Sequence, residues 1–486
     1  MMSLGKMLAE SAGKYAERVA VIHGDRKMTY RELERAACAL ANHLRSLGLG
    51  QGDKVALMLP NCPEFIIAYF GVQKIGGVAV TLHIQSTSYE LRHLLGNSDS
   101  QCLITQGTMA KRFEEIRDDL PLCRHCITTN GLEEESPFRE ILANGPFETE
   151  IPELAGDDPA VMIYTAGLTG KPLGAVLTQK NLLTQSELLR SIAHCTENDV
   201  GLAVIPFFHS FGAVANMLAT LRIGAGVVLM ERFTLDGIFG AIEKEGVTYI
   251  AAVPRLFLGM FFHEGAEKFR TDSLRLCVTG GAAMSADFIP LFEKKFVVKI
   301  MEGYGLTEAS PVSSFSRLDM LQKPGSIGIP IPGVVAKIVD EEGRELPRET
   351  VGELILRGEN VMKGYYKDEK ATAQVICDGW LHTSDLGRMD ADGYIFLTGR
   401  KKRMIITSGF NVYPKEIEIV LGLHPAVQEA RILGKEDLLR GEIVKAVVVV
   451  KPGIEIEERE LLKHCRTYLS SYKVPREIEF VTKLGE

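Results

Sequence analysis

Three segments of the chain place hydroxyl, carboxylate or guanidinium side chains beside glycines, a mixture suited to holding phosphates. The first, YTAGLTGKPLGAVLT at 164–178, carries Thr165 and Thr169 among Gly167 and Gly170. Glycine lets backbone N–H groups approach an anion closely, and threonine adds a hydroxyl donor. The GxxxxGK[ST] pattern is not matched. A strand at 161–164 is predicted to run into a turn that includes Gly174, and then into a helix from Gln179 or Asn181; the alternative is a plain surface turn.

The second segment, IMEGYGLTEAS at 300–310, ends a predicted strand in Gly303, Tyr304 and Gly305. The two glycines free the backbone on both sides of an aromatic ring that can stack on a base. Thr307 then offers a hydroxyl to phosphate, and Glu308 offers a carboxylate, which is a ligand that Mg²⁺ prefers. Alone, the same string also fits a helix entrance with a threonine cap.

The third segment, WLHTSDLGRMDADGYIFLTGRKKR at 380–403, contains Asp385 in a predicted turn. Its carboxylate can accept from both hydroxyls of a ribose, and Arg400 can reach the same sugar or a phosphate. A lone aspartate and arginine are more often an exposed ion pair.

The elements that must position these segments alternate in type. Helical stretches such as TYRELERAACALANHLRSLG (29–48) alternate with apolar runs such as KVALMLP (54–60) and YIAAVP (249–254). This pattern predicts parallel strands covered on both faces, an α/β fold. Between about 325 and 400 short strands and turns predict an antiparallel or barrel-like subdomain. A compact α+β module follows the basic connector at 399–403, which predicts domains of 1–399 and 400–486.

Composition excludes several classes of protein. The 486 residues carry 55 basic and 63 acidic side chains, a net charge of −8, without a long basic run, which argues against a nucleic-acid binder. Nine scattered cysteines favour reduced thiols and a cytoplasmic location, with no zinc site expected at the lone CxxC of 123–126. The most apolar stretch, 211–230, is broken by Asn216 and Arg222, so it predicts a buried helix followed by a strand rather than a membrane span.

Eight segments in this order resemble the adenylate-forming superfamily, which contains acyl-CoA synthetases, firefly luciferase and nonribosomal-peptide adenylation domains. The resemblance covers essentially the whole chain. Its segments are YTAGLTGKPLGA, IPFFHSFG (205–212), VTGGAAM (278–284), GYGLTE (303–308), GELILRGENVMKGYY (352–366), WLHTSDLG (380–387), GRKKRMIITSGFNVYPKEIE (399–418) and RGEIVKAVVVV (440–450).

The resemblance implies a fold and a reaction. The fold is a large N-terminal AMP-binding domain of two doubly wound sheets with a distorted β-barrel subdomain, followed by a small mobile α+β C-terminal domain. The reaction is that of an AMP-forming acid:CoA ligase, with ATP, Mg²⁺ and CoA. A carboxylate and ATP give an acyl-adenylate and pyrophosphate, and the acyl group then passes to a thiol.

Roles follow for individual residues. By resemblance, Thr165 and Glu308 hold Mg²⁺, Thr169 and the loop amides at Gly167 and Gly170 hold the β- and γ-phosphates, and Thr307 contacts the α-phosphate. Asp385 binds the ribose and Arg400 the ribose or phosphate. The adenine is enclosed by Gly281, Ala282, Ala283 and Tyr304. The other residues of the nucleotide site are Glu302, Gly303 and Gly305.

Three further residues match positions outside the nucleotide site. His209 matches an aromatic or histidine position beside the reacting carboxylate, although a lone histidine between aromatic residues is usually a core residue. Lys402 matches the hinge about which the C-terminal domain rotates between the half-reactions, and Gly409 matches a glycine of the pantetheine tunnel.

The chain also departs from the family pattern. The usual phosphate loop is close to TSGTTGxPKG, whereas this chain has Ala166, Leu168 and Leu173, losing two hydroxyls and a positive charge. Weakened or altered handling of pyrophosphate is therefore expected, rather than loss of the nucleotide. The end, KVPREIEFVTKLGE, stops before the place of a PKTxxGK-like segment whose lysine serves adenylation, so a truncated C-terminal domain and poor adenylation are expected.

Small and apolar pocket walls, such as Ala251, Ala252 and Val253, favour an apolar acid, foremost a medium- or long-chain fatty acid. The alternatives are an aromatic or cyclic acid, an enzyme that loads a carrier protein, and an acyl-adenylate-binding protein with degraded catalysis. The partners expected are the acid, ATP and CoA, with no nucleic acid and no transmembrane segment. The oligomeric state stays open, a homodimer included.

Overall fold

The computed structural model describes residues 2–130, 135–166, 171–401, 404–437 and 440–484. In these residues the strands are β1 Val19–His23, β2 Arg26–Thr29, β3 Lys54–Met58, β4 Val78–Thr81, β5 Ser100–Gln106, β6 His125–Thr129, β7 Pro159–Ala166, β8 Pro172–Thr178, β9 Val200–Ala203, β10 Gly226–Leu229, β11 Tyr249–Ala252, β12 Leu276–Thr279, β13 Lys299–Gly305, β14 Val312–Phe315, β15 Ile329–Pro330, β16 Val334–Val339, β17 Gly352–Gly358, β18 Gly364–Tyr365, β19 Ile376–Cys377, β20 Trp380–Met389, β21 Ile395–Arg400, β22 Ile405–Thr407, β23 Phe410–Val412, β24 Val427–Asp437, β25 Gly441–Val450 and β26 Glu477–Val481.

The α-helices of the same residues are α1 Leu4–Tyr15, α2 Tyr30–Ser46, α3 Pro63–Lys74, α4 Ser88–Ser98, α5 Gly107–Glu114, α6 Pro137–Asn144, α7 Gln179–Ser186, α8 Leu188–Ser191, α9 Ala219–Ile223, α10 Leu235–Glu245, α11 Pro254–Phe262, α12 Phe288–Phe296, α13 Glu369–Val375, α14 Pro414–Gly422 and α15 Glu458–Tyr468. A π-type helical segment, Gly212–Leu218, leads into α9. Short 3₁₀ turns lie at Arg117–Asp119, Ala266–Lys268 and Thr307–Ala309.

Two large, mostly parallel sheets form the N-terminal part. One has the order β15-β14-β13-β12-β11-β9-β10-β1-β2, and the other β18-β8-β7-β4-β3-β5-β6. Strands such as β4 and β11 are buried at every residue, as expected where helices cover both faces. The predicted pair of doubly wound sheets is confirmed, and 211–230 forms a buried helical stretch followed by β10.

Two smaller sheets complete the chain. The antiparallel sheet β16-β17-β20-β19, with β21 on β20, occupies the region predicted to be barrel-like. The last sheet, β23-β22-β25-β24 with β26 beside β25, packs with α14 and α15 around its own apolar cluster. This is the predicted α+β module.

Two local predictions are wrong. Asp385, predicted to lie in a turn, lies inside β20, because residues 380–389 pair with β17 on one side and β21 on the other. The predicted turn does not extend to the predicted helix start at Gln179, because residues 172–178 form β8, which pairs antiparallel with β7. The run PLGAVLT is apolar and largely buried, so a strand that pairs with β7 on one side and β18 on the other buries it better than a turn. The helix α7 then begins at Gln179, where Thr178 and Asn181 form a reciprocal cap.

Candidate active site

A carboxylate and a hydroxyl from different sheets meet at the end of β7. The hydroxyl of Thr165 donates to Oε1 of Glu308 at 3.0 Å, and the hydroxyl of Tyr365 donates to the same oxygen at 2.8 Å. Thr165 lies near the end of β7, two residues beyond its buried run, whereas Glu308 lies in the turn that follows β13. The pair forms a set of hard oxygen ligands of the kind that suits Mg²⁺.

A second polar group joins three of the predicted residues. Asp385 on β20 lies opposite Arg400 on β21, and Nε of Arg400 donates to one of its carboxylate oxygens. The hydroxyl of Tyr304 donates to the other oxygen. Asp385 is only 2% exposed, so these two donors compensate the burial of its charge. The sequence predicted a ribose-binding aspartate and arginine, and the structure brings them together with the tyrosine ring.

Three cavities surround these groups, and Thr307 and Asn411 line all of them. The largest, of about 330 Å³, also contains His209 and Tyr304 in its walls. The second, of about 130 Å³, is lined by Thr165, Leu173, Glu308, Asp385 and Arg400, among others. The third, also about 130 Å³, extends from Thr165 and His209 toward residues 81–90. The predicted site residues therefore lie around adjoining spaces.

His209 stands between the first and third cavities. Its Nδ1 accepts from the N–H of Phe211 at 3.2 Å, so the proton of the neutral ring lies on Nε2. Burial lowers the pKa of His209 to about 4, which keeps the ring neutral near pH 7. A neutral N–H donor of this kind can orient a carboxylate or acyl oxygen without adding charge. Ser210 next to it lies within hydrogen-bond distance, 3.3 Å, of the Thr307 hydroxyl.

The C-terminal module supplies one wall of these cavities through residues 408–413, here called the wall loop. Gly409 adopts a φ of +86°, which favours glycine. An added Cβ there would lie 3.0 Å from a methyl group of Val253, at the entrance to α11. Arg255 donates to the hydroxyl of Ser408 at 3.0 Å. The predicted tunnel glycine thus packs closely against the N-terminal part.

The other predicted residues divide into three groups. Gly281, Gly303 and Gly305 line the largest cavity. The structure places three others outside the walls of the three cavities: Ala282, Ala283 and Glu302. Burial raises the pKa of Glu302 to about 7. Four predicted residues lie outside the described residues: Gly167, Thr169, Gly170 and Lys402.

Sequence reasoning missed three residues that the structure places at the site. Asn411 and Tyr413 come from the wall loop, and Tyr365 comes from β18. All three lie inside segments that carry the family resemblance, but they are neutral side chains without a distinctive spacing. Burial raises the pKa of the Tyr365 hydroxyl, so it remains a donor to Glu308.

The fold is that of an adenylate-forming enzyme. The o-succinylbenzoate CoA synthetase of Bacillus subtilis, solved with a product analogue, superposes with a TM-score of 0.87 at 28% identity, covering 99% of this chain and 95% of that chain. Residues 8–366 match the AMP-binding enzyme family, and residues 416–485 match the AMP-binding enzyme C-terminal domain. The chain belongs to the AMP-binding enzyme family.

Curated relatives extend over nearly the whole chain. A long-chain-fatty-acid–CoA ligase of Bacillus subtilis (strain 168) is 34% identical over 99% of this chain and 91% of its own length. A feruloyl-CoA synthase of an Amycolatopsis species is 33% identical over 99% of this chain and 95% of its own length. The predicted class, an AMP-forming acyl-CoA synthetase that uses ATP and CoA, is confirmed by these matches. In the described residues no helix has the length and apolar character needed to span a membrane.

Proposed function

We propose that the protein is an ATP- and Mg²⁺-dependent ligase that joins an apolar carboxylic acid to CoA, with a medium- or long-chain fatty acid as its principal substrate. One observation carries the choice of acid: the largest cavity connects Thr307 and His209 to a wall of apolar side chains. That wall consists of Val204, Ile205, Phe211, Val253, Val278 and Phe315. The described part of the wall offers no lysine to bind a second carboxylate, and its guanidinium, that of Arg400, is already paired with Asp385.

The residue roles follow from the two polar groups. Thr165 and Glu308 would hold Mg²⁺, because they present adjoining hard oxygens beside the nucleotide cavity. Asp385 and Arg400 would bind the ribose, with Tyr304 beside the base. Thr307, which lines all three cavities, would contact the α-phosphate. Fixed donors around a reacting phosphorus are what such chemistry requires.

His209 would bind the acid, and the wall loop would border the path of the thiol. The neutral ring of His209 would donate to the acyl carboxylate, and Gly409 would leave room for the pantetheine chain. Lys402 and the loop glycines Gly167 and Gly170, with Thr169, keep the roles that the resemblance implies. We place the boundary of the two domains between residues 399 and 400.

An aromatic acid is the second candidate. The rings of Phe211, Tyr304 and Phe315 line the largest cavity, and they offer edges and faces to a planar acid. The feruloyl-CoA synthase relative, at nearly the same identity as the fatty-acid ligase, also supports this candidate.

The experiment is a release assay for AMP with a panel of acids, in the presence and absence of CoA. We expect CoA-dependent AMP release to be faster with dodecanoate and hexadecanoate than with cinnamate and ferulate. Preference for the ring acids would support the second candidate, and release that requires an acyl carrier protein instead of CoA would identify a carrier-loading enzyme. Asp385→Asn is the matched inactive control. ATP binding without AMP release from any acid would contradict the proposal.

A further inference from the structure

A buried group of charged side chains joins the two ends of the chain. Nζ of Lys473 lies 2.7 Å from Oε1 of Glu90 and 2.7 Å from Oε1 of Glu416. The side chains are 9%, 6% and 9% exposed, respectively. The hydroxyl of Ser470 donates to the second oxygen of Glu90 at 2.6 Å. The charges are therefore held by one another rather than by solvent.

The N-terminal part contributes Glu90 to this group, on the rigid end of a helix. Glu90 is the third residue of α4, and its carboxylate accepts from the N–H of Thr87 at 2.9 Å as half of a reciprocal helix cap. The hydroxyl of Thr87 in turn donates to the carbonyl of Tyr468 at 2.9 Å. The start of α4 is thus the place where the C-terminal module docks.

The C-terminal contacts lead back to the active site. Glu416 lies in the first turn of α14, directly after the wall loop. Tyr472, next to Lys473, packs its ring 4.9 Å from Phe410 of the wall loop and 4.8 Å from His83. Lys473 therefore connects α4 to the element that follows the wall loop, and its neighbour Tyr472 packs against the wall loop itself.

The charges of Lys473 and Glu90 stabilise the arrangement in which the C-terminal module is docked on α4. Burial alone lowers the pKa of Lys473, but Tyr472, Glu416 and Glu90 raise it well above its usual value, so the ammonium is charged. Burial opposes the charge of Glu90, yet Lys473 and Ser470 lower the pKa of that carboxyl. If the module moves away, Lys473 retains Glu416 within its own domain. Glu90 loses its cation, so its charge contributes only when the module is docked.

We infer that Glu90 is a positioning residue for the acyl-transfer step: through Lys473 and Glu416 it holds the wall loop in the cavity where the thiol meets the acyl-adenylate. The inference rests on the proposed function, in which adenylation and acyl transfer are separate steps. Glu90 and Lys473 line the end of the third cavity, and the role assigned to Glu90 is to hold the wall loop in place rather than to take part in bond making. It selects the arrangement in which the second step proceeds.

The test is Glu90→Gln, which removes the charge while the glutamine oxygen keeps the helix cap. We expect the rate of acyl-CoA formation from a supplied acyl-adenylate to fall by about thirtyfold or more, as is typical when a buried, hydrogen-bonded charge pair loses one partner. The rate of adenylation, measured as pyrophosphate exchange, should stay within about twofold of the wild-type rate. Equal loss in both half-reactions, or no loss in either, would overturn the inference.

Two further variants make the comparison sharper. Glu115→Gln is the matched control, because Glu115 is exposed and its carboxylate accepts from the hydroxyl of Ser88, at the start of α4. It should leave both rates unchanged. Lys473→Met leaves two carboxylates buried without a cation, so acyl transfer should fall further than in Glu90→Gln. The double variant should lose less than the product of the two single losses.

Docking is also measured without substrates, by amide hydrogen exchange. Glu90→Gln should exchange faster at residues 85–91 and 468–473 together, while β3 and β4 keep the wild-type protection. Unchanged protection in both segments would contradict the inference. If the wild-type protein forms no acyl-CoA from an acyl-adenylate, the proposed function fails, and the exchange result still decides whether Glu90 holds the module.

Discussion

Leu173 places an uncharged side chain in the candidate nucleotide site, at a position where the family pattern has lysine. It pairs with Thr165 across the β7–β8 hairpin and lines the cavity that contains Glu308, Asp385 and Arg400. The position at which the family pattern has lysine therefore faces the nucleotide site, and here it carries no charge.

We expect Leu173→Lys to raise kcat/KM for ATP about tenfold, since a charge-assisted contact to phosphate is worth about 1.5–3 kcal/mol. The gain should appear in pyrophosphate exchange rather than in acyl transfer from a supplied acyl-adenylate. Leu173→Met, which changes shape without charge, is the control. An equal gain in both variants would show that charge is not the cause.

At the residue scale, sequence reasoning singled out polar residues that stand beside glycines or other polar groups, and it missed polar residues without such a context. Thr165, Tyr304 and Glu308 stand out because glycines flank them or because hydroxyl and carboxylate groups adjoin. Tyr365 also follows a glycine, but neither Tyr365 nor Asn411 adjoins a carboxylate or an aliphatic hydroxyl, and only the fold brings them to the cavity from separate elements. The pairing of Thr165 with Glu308 joins residues 143 positions apart, which spacing along the chain does not reveal.

At the element scale, the end of β13 is the most constrained support of the site. A Cβ added to Gly305 would lie 1.7 Å from the carbonyl oxygen of Pro311, which is backbone and has no room to yield. The strand end fixes Thr307 and Glu308, which follow in the next turn. A glycine at 305 is therefore required by close approach of two backbone segments.

Gly305→Ala should lower AMP release more than a hundredfold, because a shift of about 1 Å at a catalytic turn is enough to cost that much. The midpoint of thermal unfolding should fall as well. Gly240→Ala is the matched control, since an added Cβ in α10 finds its nearest neighbour at 4.0 Å. Wild-type activity in Gly305→Ala would show that the turn tolerates the shift.

The same scale explains which elements the sequence predicted. Short apolar runs between helical stretches predicted the parallel strands. Frequent turns between short strands predicted the antiparallel region. The hairpin of β7 and β8 was missed because its glycines suggested a turn before a helix. Its strand pairing depends on β18, nearly two hundred residues later in the chain.

At the scale of the whole molecule, the contact between the N-terminal part and the C-terminal module lay beyond sequence reasoning. Glu90 and Lys473 are 383 residues apart, and each resembles an ordinary surface charge in its own segment. Their burial arises only when α4 and the module meet. His83 lies in the same contact, with its ring 4.6 Å from Phe208 and 4.8 Å from Tyr472.

This contact makes stability depend on pH through buried neutral histidines. Burial lowers the pKa of His83 to about 3, and that of His209 to about 4. In the unfolded chain both titrate near 6.5. The unfolded state therefore binds protons that the folded state does not, so stability is fully present above about pH 6.5 and is lost as the pH falls toward 4.

The charge of Glu90 raises the pKa of His83, whereas the charges of Lys473, His209 and Arg112 lower it further than burial alone does.

We expect the midpoint of thermal unfolding to fall between pH 7 and pH 5. It should fall less steeply in His83→Phe, which keeps a ring between the two parts of the chain. His194→Asn is the control, because His194 is exposed and its φ of +50° suits asparagine. It should keep the wild-type slope. An unchanged slope in His83→Phe would show that His83 binds protons equally in the folded and the unfolded state. Its burial would then not lower the stability of the folded state at acidic pH.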